Sequence, residues 1–142
     1  MRISMGWAMI FIDTGAFFAR FVLNDGNHQR AAGVWDKLAS ERIFTSDLVL
    51  CETAELLARK AGHDLAVQNV RLIYNTSQLT ILRPAKDDEI AALDVMAKFA
   101  DQRIGFADCV SFVLMQRNRI RRAFSFDHHF QLAGFTLWPG SA

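Results

Sequence analysis

Met9-Ile10-Phe11-Ile12-Asp13-Thr14-Gly15 decides the fold. Four apolar residues run without a break and end on a carboxylate. A short, wholly apolar run bounded by a turn signal reads as a strand buried on both faces of a sheet. Asp13 then stands where the strand leaves the sheet, and in open parallel sheets ligands bind at that edge. Three later acids, Glu52, Asp108 and Asp127, are expected to converge on Asp13 and hold a divalent metal.

Outward from that stretch, helices and strands alternate. Phe17, Phe18, Phe21 and Val22 recur at helical spacing, which puts a helix over Thr14 to Leu23. Asn24-Asp25-Gly26-Asn27 is a turn cluster. His28 to Ser40 reads as a second helix with Ala31, Val34, Trp35 and Leu38 on one face, and Ile43 to Ser46 as a short strand. Asp47 to Ala61 is a helix whose inward stripe is expected to carry Leu48, Val49, Glu52 and Leu56, because positions three and four apart share a face. Glu55 and Arg59, at i,i+4, read as an ordinary exposed pair. Gly62 ends this helix and His63 to Tyr74 forms another.

Leu79 to Leu82 is the next strand, closed by Arg83-Pro84. Asp87 to Ala100 reads as a helix with Ile90, Leu93, Met96 and Ala97 inward, followed by a loop from Asp101 to Gly105. Phe106 to Asn118 is apolar nearly all round, with Asp108 the exception in its first turn, as in a helix buried deep in a domain. Arg122 to Phe126 reads as a strand ending on Asp127. A short helix to Ala133, then Gly134 and a strand from Phe135 to Trp138, complete the order. Such alternation implies an α/β fold: one central parallel sheet of about five strands, helices on both faces and right-handed crossovers. Asp13 and Asp127 would emerge at the C-terminal edge of neighbouring strands.

The 142 residues make one domain, and 51% hydrophobic against 22% charged residues marks it as globular. With a net charge of +1, attraction to nucleic acid must come from a local patch. Cys51 and Cys109 have no metal-type spacing; without a secretion signal both read as reduced core thiols of a cytosolic protein. Met5 to Ile12 is apolar, but Asp13 and Arg20 interrupt it short of the ~18 residues that span a bilayer. Met1 to Ala8 reads as an extension ahead of a domain over 9–142, with Met1, Met5 and Met9 as alternative starts.

Burying a carboxylate is costly unless something compensates it. Each acid has a modest explanation alone: Asp13 and Asp127 as helix caps, Glu52 as a residue paired to an arginine, Asp108 as a charge at a helix amino end. Together they stand at strand ends or on apolar helix faces, with no Lys or Arg beside them on those faces. Like charges in one pocket repel, and a hard divalent cation removes the repulsion. Oxygen ligands without His or Cys favour Mg²⁺ or Mn²⁺ over Zn²⁺.

The order Phe-Ile-Asp-Thr, Ser-Asp-Leu-Val-Leu-Cys-Glu, Phe-Ala-Asp-Cys-Val-Ser-Phe-Val-Leu-Met, Phe-Ser-Phe-Asp-His-His-Phe and Ala-Gly-Phe resembles the PIN-domain ribonucleases, above all the VapC-type toxins of toxin–antitoxin pairs. The likeness runs from Met9 across nearly the whole chain and is most specific in its last two segments. It implies a single PIN-like domain with Mg²⁺- or Mn²⁺-dependent endoribonuclease activity, often homodimeric and neutralised by a cognate antitoxin. Position by position it makes Asp13, Glu52, Asp108 and Asp127 catalytic. Asp13 and Asp108 would be the main metal ligands, Asp127 would complete the shell, and Glu52 would position or deprotonate the attacking water. Products would carry a 5′-phosphate and a 3′-hydroxyl. Asp101 matches a supporting acidic position. The family commonly has Ser or Asn two residues after the first Asp, where this chain has Gly15; Thr14 still supplies a hydroxyl, so one outer hydrogen bond is in doubt, not the metal.

Arg103, Arg117, Arg119, Arg121 and Arg122 flank the acids in sequence. They either grip RNA phosphates or form the solvated end of a helix and its turn, and the two readings stand equal. Phe-Ile-Asp-Thr-Gly-Ala mimics an aspartic protease, but that chemistry needs two such aspartates face to face. Haloacid-dehalogenase-type phosphatases need a second Asp where Gly15 stands. His128-His129 suggests a metal site, but two adjacent residues on a helix point apart and rarely share one ion, so exposure at a helix start is expected. The twelve Phe, with Trp35 and Met115, read as core; apolar surface left over would serve an antitoxin or second subunit. The rivals are a non-catalytic PIN-like binding module, whose acids are structural, and a housekeeping RNA-processing nuclease.

Overall fold

In the computed structural model, Met9–Ile12 (β1) is the middle strand of a five-stranded sheet, and all four of its residues are buried. Residues 9–138 are described, so the expected extension over Met1 to Ala8 lies outside the described residues. The remaining elements are α1 (Thr14–Phe21), α2 (His28–Lys37), β2 (Arg42–Ser46), α3 (Asp47–Ala61), α4 (His63–Tyr74), β3 (Leu79–Leu82), α5 (Lys86–Lys98), α6 (Phe106–Arg117), β4 (Arg122–Phe124), α7 (His129–Leu132) and β5 (Thr136–Trp138). Single 3₁₀ turns follow α2 and α5.

The sheet order is β3-β2-β1-β4-β5 and every pairing is parallel. This is the α/β architecture that the alternating pattern implies. Because β1 and β4 are neighbours, the chain leaves both strands at one edge. There the Asp13 N–H donates to the carbonyl of Phe124 at 3.0 Å, and the Thr45 hydroxyl donates to the carbonyl of Ile12 at 2.8 Å. Cys109 to Met115 of α6 are all buried, as its all-round apolar sequence requires.

Helix rotation is where sequence and structure part. On α3 the buried residues are Val49, Leu50, Thr53 and Leu57. Glu52, expected on the apolar stripe, is exposed instead. Ser46 caps this helix by accepting the N–H of Val49, and Thr53 donates to the carbonyl of Val49 at 2.7 Å. On α5 the expected inward residues Ile90, Leu93 and Met96 are 50%, 54% and 39% exposed, and Ala97 is exposed too. Asp88 and Ala92 face inward in their place. The reason is an anchor: the Asp88 carboxylate accepts the N–H of Ala85 and pairs with Arg117 of α6, which fixes the rotation of α5 against α6. Cys109 is a buried thiol as expected, whereas Cys51 is exposed on α3; both are free. Among the described residues no helix is long and apolar enough to cross a membrane.

Candidate active site

Beyond the C-terminal edge of β1 and β4 lies a cavity of about 440 Å³. Asp13, Glu52, Asp108 and Asp127 all line it. Each arrives from a different element: Asp13 from the end of β1, Glu52 from the second turn of α3, Asp108 from the first turn of α6, and Asp127 from the connection between β4 and α7.

Asp13 is only 6% exposed. Burial first, and then the Asp108 charge, push its carboxyl up to about 7, against the opposing pull of hydrogen bonds from the Thr14 backbone and Ser125. Asp108 is likewise pushed up to about 7, by burial and then by Asp127 and Glu52. Glu52 is exposed on the cavity wall but enclosed enough that desolvation raises it, while a 3.3 Å hydrogen bond donated by Thr14 opposes the rise. The four carboxyls are thus one electrostatic unit. In the bare protein Asp13 and Asp108 relieve the repulsion by holding protons near neutral pH. A hard divalent cation is the other way to relieve it, so the donor set fits such an ion.

Three further groups stand at or beside the site: two that sequence leaves unassigned, and one that it expects to be exposed. Ser125 is buried; its hydroxyl donates to Oδ2 of Asp13 at 2.9 Å and accepts the N–H of Asp127 at 3.0 Å. The i,i+2 spacing in Ser125-Phe126-Asp127 is a signal that could have found it, since alternate residues of an extended chain face the same way. Arg59 also lines the cavity, so the acids do have a cation beside them, and among the described residues no ion pair joins it to Glu55. His129 is the third. Its Nδ1 lies 3.1 Å from Oδ1 of Asp127 and 3.7 Å from Oδ2 of Asp108. Only His128 is exposed as expected. Asp127, His128 and His129 offer ligand atoms within 4.8 Å of one another, although neither histidine is among the cavity's lining residues.

Other candidates fall outside. Asp101 is exposed on the turn after α5 and is not among the cavity's lining residues. Arg117 ends α6, about 13 Å along the helix axis from Asp108, and pairs with Asp88. Arg122 starts β4, at the opposite end of that strand from Asp127; it pairs with Glu41 at 3.0 Å and lies 4.9 Å from the Trp138 ring. Arg119 and Arg121 line a separate hollow at that far end. An interface of these four arginines around the acids is therefore corrected: the adjacency in sequence is undone by the length of α6 and by β4. Arg103 is exposed at the near end, beside Leu93 and Met96.

Comparison with known proteins agrees with this fold. The family model described as PIN domain matches residues 10–135. The 23S rRNA-specific endonuclease VapC20 of Mycobacterium tuberculosis is 32% identical over 127 residues, covering 89% of this chain and 95% of that relative. Ribonuclease VapC26 of the same species is 30% identical over 122 residues, covering 85% and 89%. The crystal structure of M. tuberculosis VapC20, described as a Sarcin-Ricin loop cleaving toxin, superposes with a TM-score of 0.84 at 30% identity, over 89% of this chain and 96% of that one. The Rickettsia felis VapBC2 structure, bound to a promoter DNA fragment, covers 91% and 96% with a TM-score of 0.65 at 11% identity, a likeness of fold alone.

Proposed function

Because the chain belongs to the PIN-domain family, on its VapC branch, we propose that it is an endoribonuclease, the toxin of a toxin–antitoxin pair. The observation that carries this reading is the convergence of Asp13, Glu52, Asp108 and Asp127 on one cavity from four distant points of the chain. The PIN domain is taken to span residues 9–142, and the site of action is the cytoplasm, where RNA and antitoxin are found.

Asp13, Asp108 and Asp127 would hold a Mg²⁺ or Mn²⁺ ion. Such an ion, when bound, supplies charge neutralisation at phosphate oxygens and an acidified water. The chain's own groups do the rest. Ser125 fixes the carboxylate of Asp13 and the backbone of Asp127 together. Glu52 is exposed to the cavity, oriented by Thr14, and raised in pKa, which suits it to orient the attacking water and accept its proton. Arg59 is placed at the cavity to meet a phosphate of the RNA backbone. Exposed Ile90, Leu93 and Met96 on α5, and Val67 and Tyr74 on α4, support apolar partner surfaces for an antitoxin and a second copy in a homodimer.

The substrate to try first is the ribosomal hairpin cut by the similar VapC20. Purified protein is incubated with large-subunit rRNA and Mn²⁺, beside an Asp108→Asn variant and a chelated control. Cleavage by the wild type alone, leaving 5′-phosphate ends, supports the reading. Equal cleavage by Asp108→Asn excludes it.

A further inference from the structure

Phe126 is the one aromatic side chain among the described residues that line the acidic cavity. Its neighbours in the chain are pinned. The Ser125 N–H donates to the carbonyl of Trp138 at 3.2 Å, and the Asp127 N–H donates to the Ser125 hydroxyl at 3.0 Å. Behind Phe126 the rings of Phe124, Trp35 and Phe17 follow one another at centroid distances of 6.0, 5.3 and 5.6 Å. Phe17 and Phe124 are buried, whereas Phe126 is only partly so. This column of rings runs through the core and ends on the cavity wall.

Two features keep the last ring approachable. Position 15 carries no side chain: a Cβ there would stand 3.9 Å from Cδ2 of Phe126, so glycine leaves that rim of the ring uncovered. The Arg30 guanidinium lies over the ring, 5.4 Å from its centroid, and brings positive charge beside a group of acids. The acids suit a cation and the phosphate it meets, but they offer nothing apolar to a base. A fixed aromatic face is what an unstacked nucleobase meets in RNA-binding sites, and every base has a π face to lay on it.

We propose that Phe126 is the platform on which one nucleobase of the RNA stacks, so that the phosphate beside that base enters among Asp13, Asp108 and Asp127. The base must be unpaired to lie there, because a base inside a duplex is already covered by its neighbours. Phe126 is then a positioning residue: it places the backbone and takes no part in proton transfer. The inference rests on the reading of the cavity as a ribonuclease site, and its test separates the two.

The ribosomal hairpin is made intact and with one abasic nucleotide at each loop position in turn. Wild type, Phe126→Leu, Phe126→Met and Phe126→Tyr are compared on all of these RNAs. Cleavage is read with Mn²⁺, and affinity is read with each substitution placed in the Asp108→Asn background. Leu and Met keep an apolar cover over Phe124 but have no π face; circular dichroism and Mn²⁺ titration check the fold and the ion site of each variant. One abasic position is expected to cost the wild-type ring roughly tenfold or more in cleavage and affinity. Phe126→Leu and Phe126→Met should lose a similar factor on the intact hairpin and nothing further at that position, while Phe126→Tyr should behave as the wild type. Wild-type behaviour of Phe126→Leu on the intact hairpin overturns the inference. So do losses that multiply at every abasic position, the result expected of a ring that only fills space, and a loss accounted for by weaker Mn²⁺ binding. If the wild type cleaves nothing yet Phe126 still sets the base-dependent affinity, the nuclease reading falls and the stacking stands. Neither cleavage nor affinity overturns both.

Discussion

Ser125 donates a 2.9 Å hydrogen bond to Oδ2 of Asp13, although 112 residues separate the two in sequence. The same hydroxyl accepts the N–H of Asp127. One buried side chain therefore ties the exits of β1 and β4 together. Ser125→Ala leaves Asp13 buried with one donor fewer and should cost about 1–3 kcal/mol of stability. Cleavage should fall as well, because two acids lose their common brace, and Ser125→Thr should restore both in part. Denaturant unfolding and rRNA cleavage on the three proteins check this; an Ala variant with wild-type behaviour in both would contradict it.

Asp13 and Asp108 each stand at about 7 in the fold against the ordinary 3.8 of a free aspartate, so between those values the folded chain keeps protons that the unfolded chain has lost. The stability these two groups contribute to the metal-free protein is therefore greatest below pH 4, declines as pH rises towards 7, and levels off above it. The slope is at most about 1.4 kcal/mol per pH unit for each extra proton held. Mn²⁺ should raise the melting temperature strongly at pH 8 and little at pH 5, where protons occupy the carboxylates. Melting curves across pH, with and without Mn²⁺, read both effects.

Removing a buried charge should stabilise what it disables. Asp108→Asn is expected to melt higher than the wild type at pH 8 without metal, yet to cleave no RNA. Glu52→Gln is the contrast. That side chain is exposed, so stability should stay within about 0.5 kcal/mol, while cleavage drops on the order of a hundredfold or more.

The arginines divide by location. Arg59→Ala, made in an inactive Asp108→Asn background, should weaken RNA binding and lower the salt slope by about 1. Arg122→Ala should leave the slope unchanged and destabilise the fold by about 3 kcal/mol, since it strips Glu41 of its nearly buried partner. Salt titrations of RNA affinity and denaturant melts decide between the two behaviours.

What is readable from sequence depends on how many faces an element buries. Met9–Ile12 and α6 are apolar all round, so no choice of face arises and both are legible. The acids at strand ends are legible for a related reason: parallel pairing of β1 with β4 forces Asp13 and Asp127 to one edge. Helices α3 and α5 carry apolar residues on more than one face, and distant polar contacts choose between them. Asp88 with Arg117 settles α5, a pairing across 29 residues that no local periodicity contains. Glu52, which periodicity puts on the apolar stripe, stands on the open wall of the cavity instead. Adjacency on a helix argues for an exposed His129; its approach to Asp108 depends instead on the turn capped by Asp127, a matter of backbone direction rather than spacing.

The most direct measurement is anomalous diffraction at the manganese edge from crystals of the protein soaked in Mn²⁺. A peak inside the cavity, within about 2.3 Å of carboxylate oxygens of both Asp13 and Asp108, is the expected result. A cavity without such a peak in Mn²⁺-saturated crystals, or manganese held only elsewhere on the chain, would contradict the assignment of these acids to a metal-dependent nuclease.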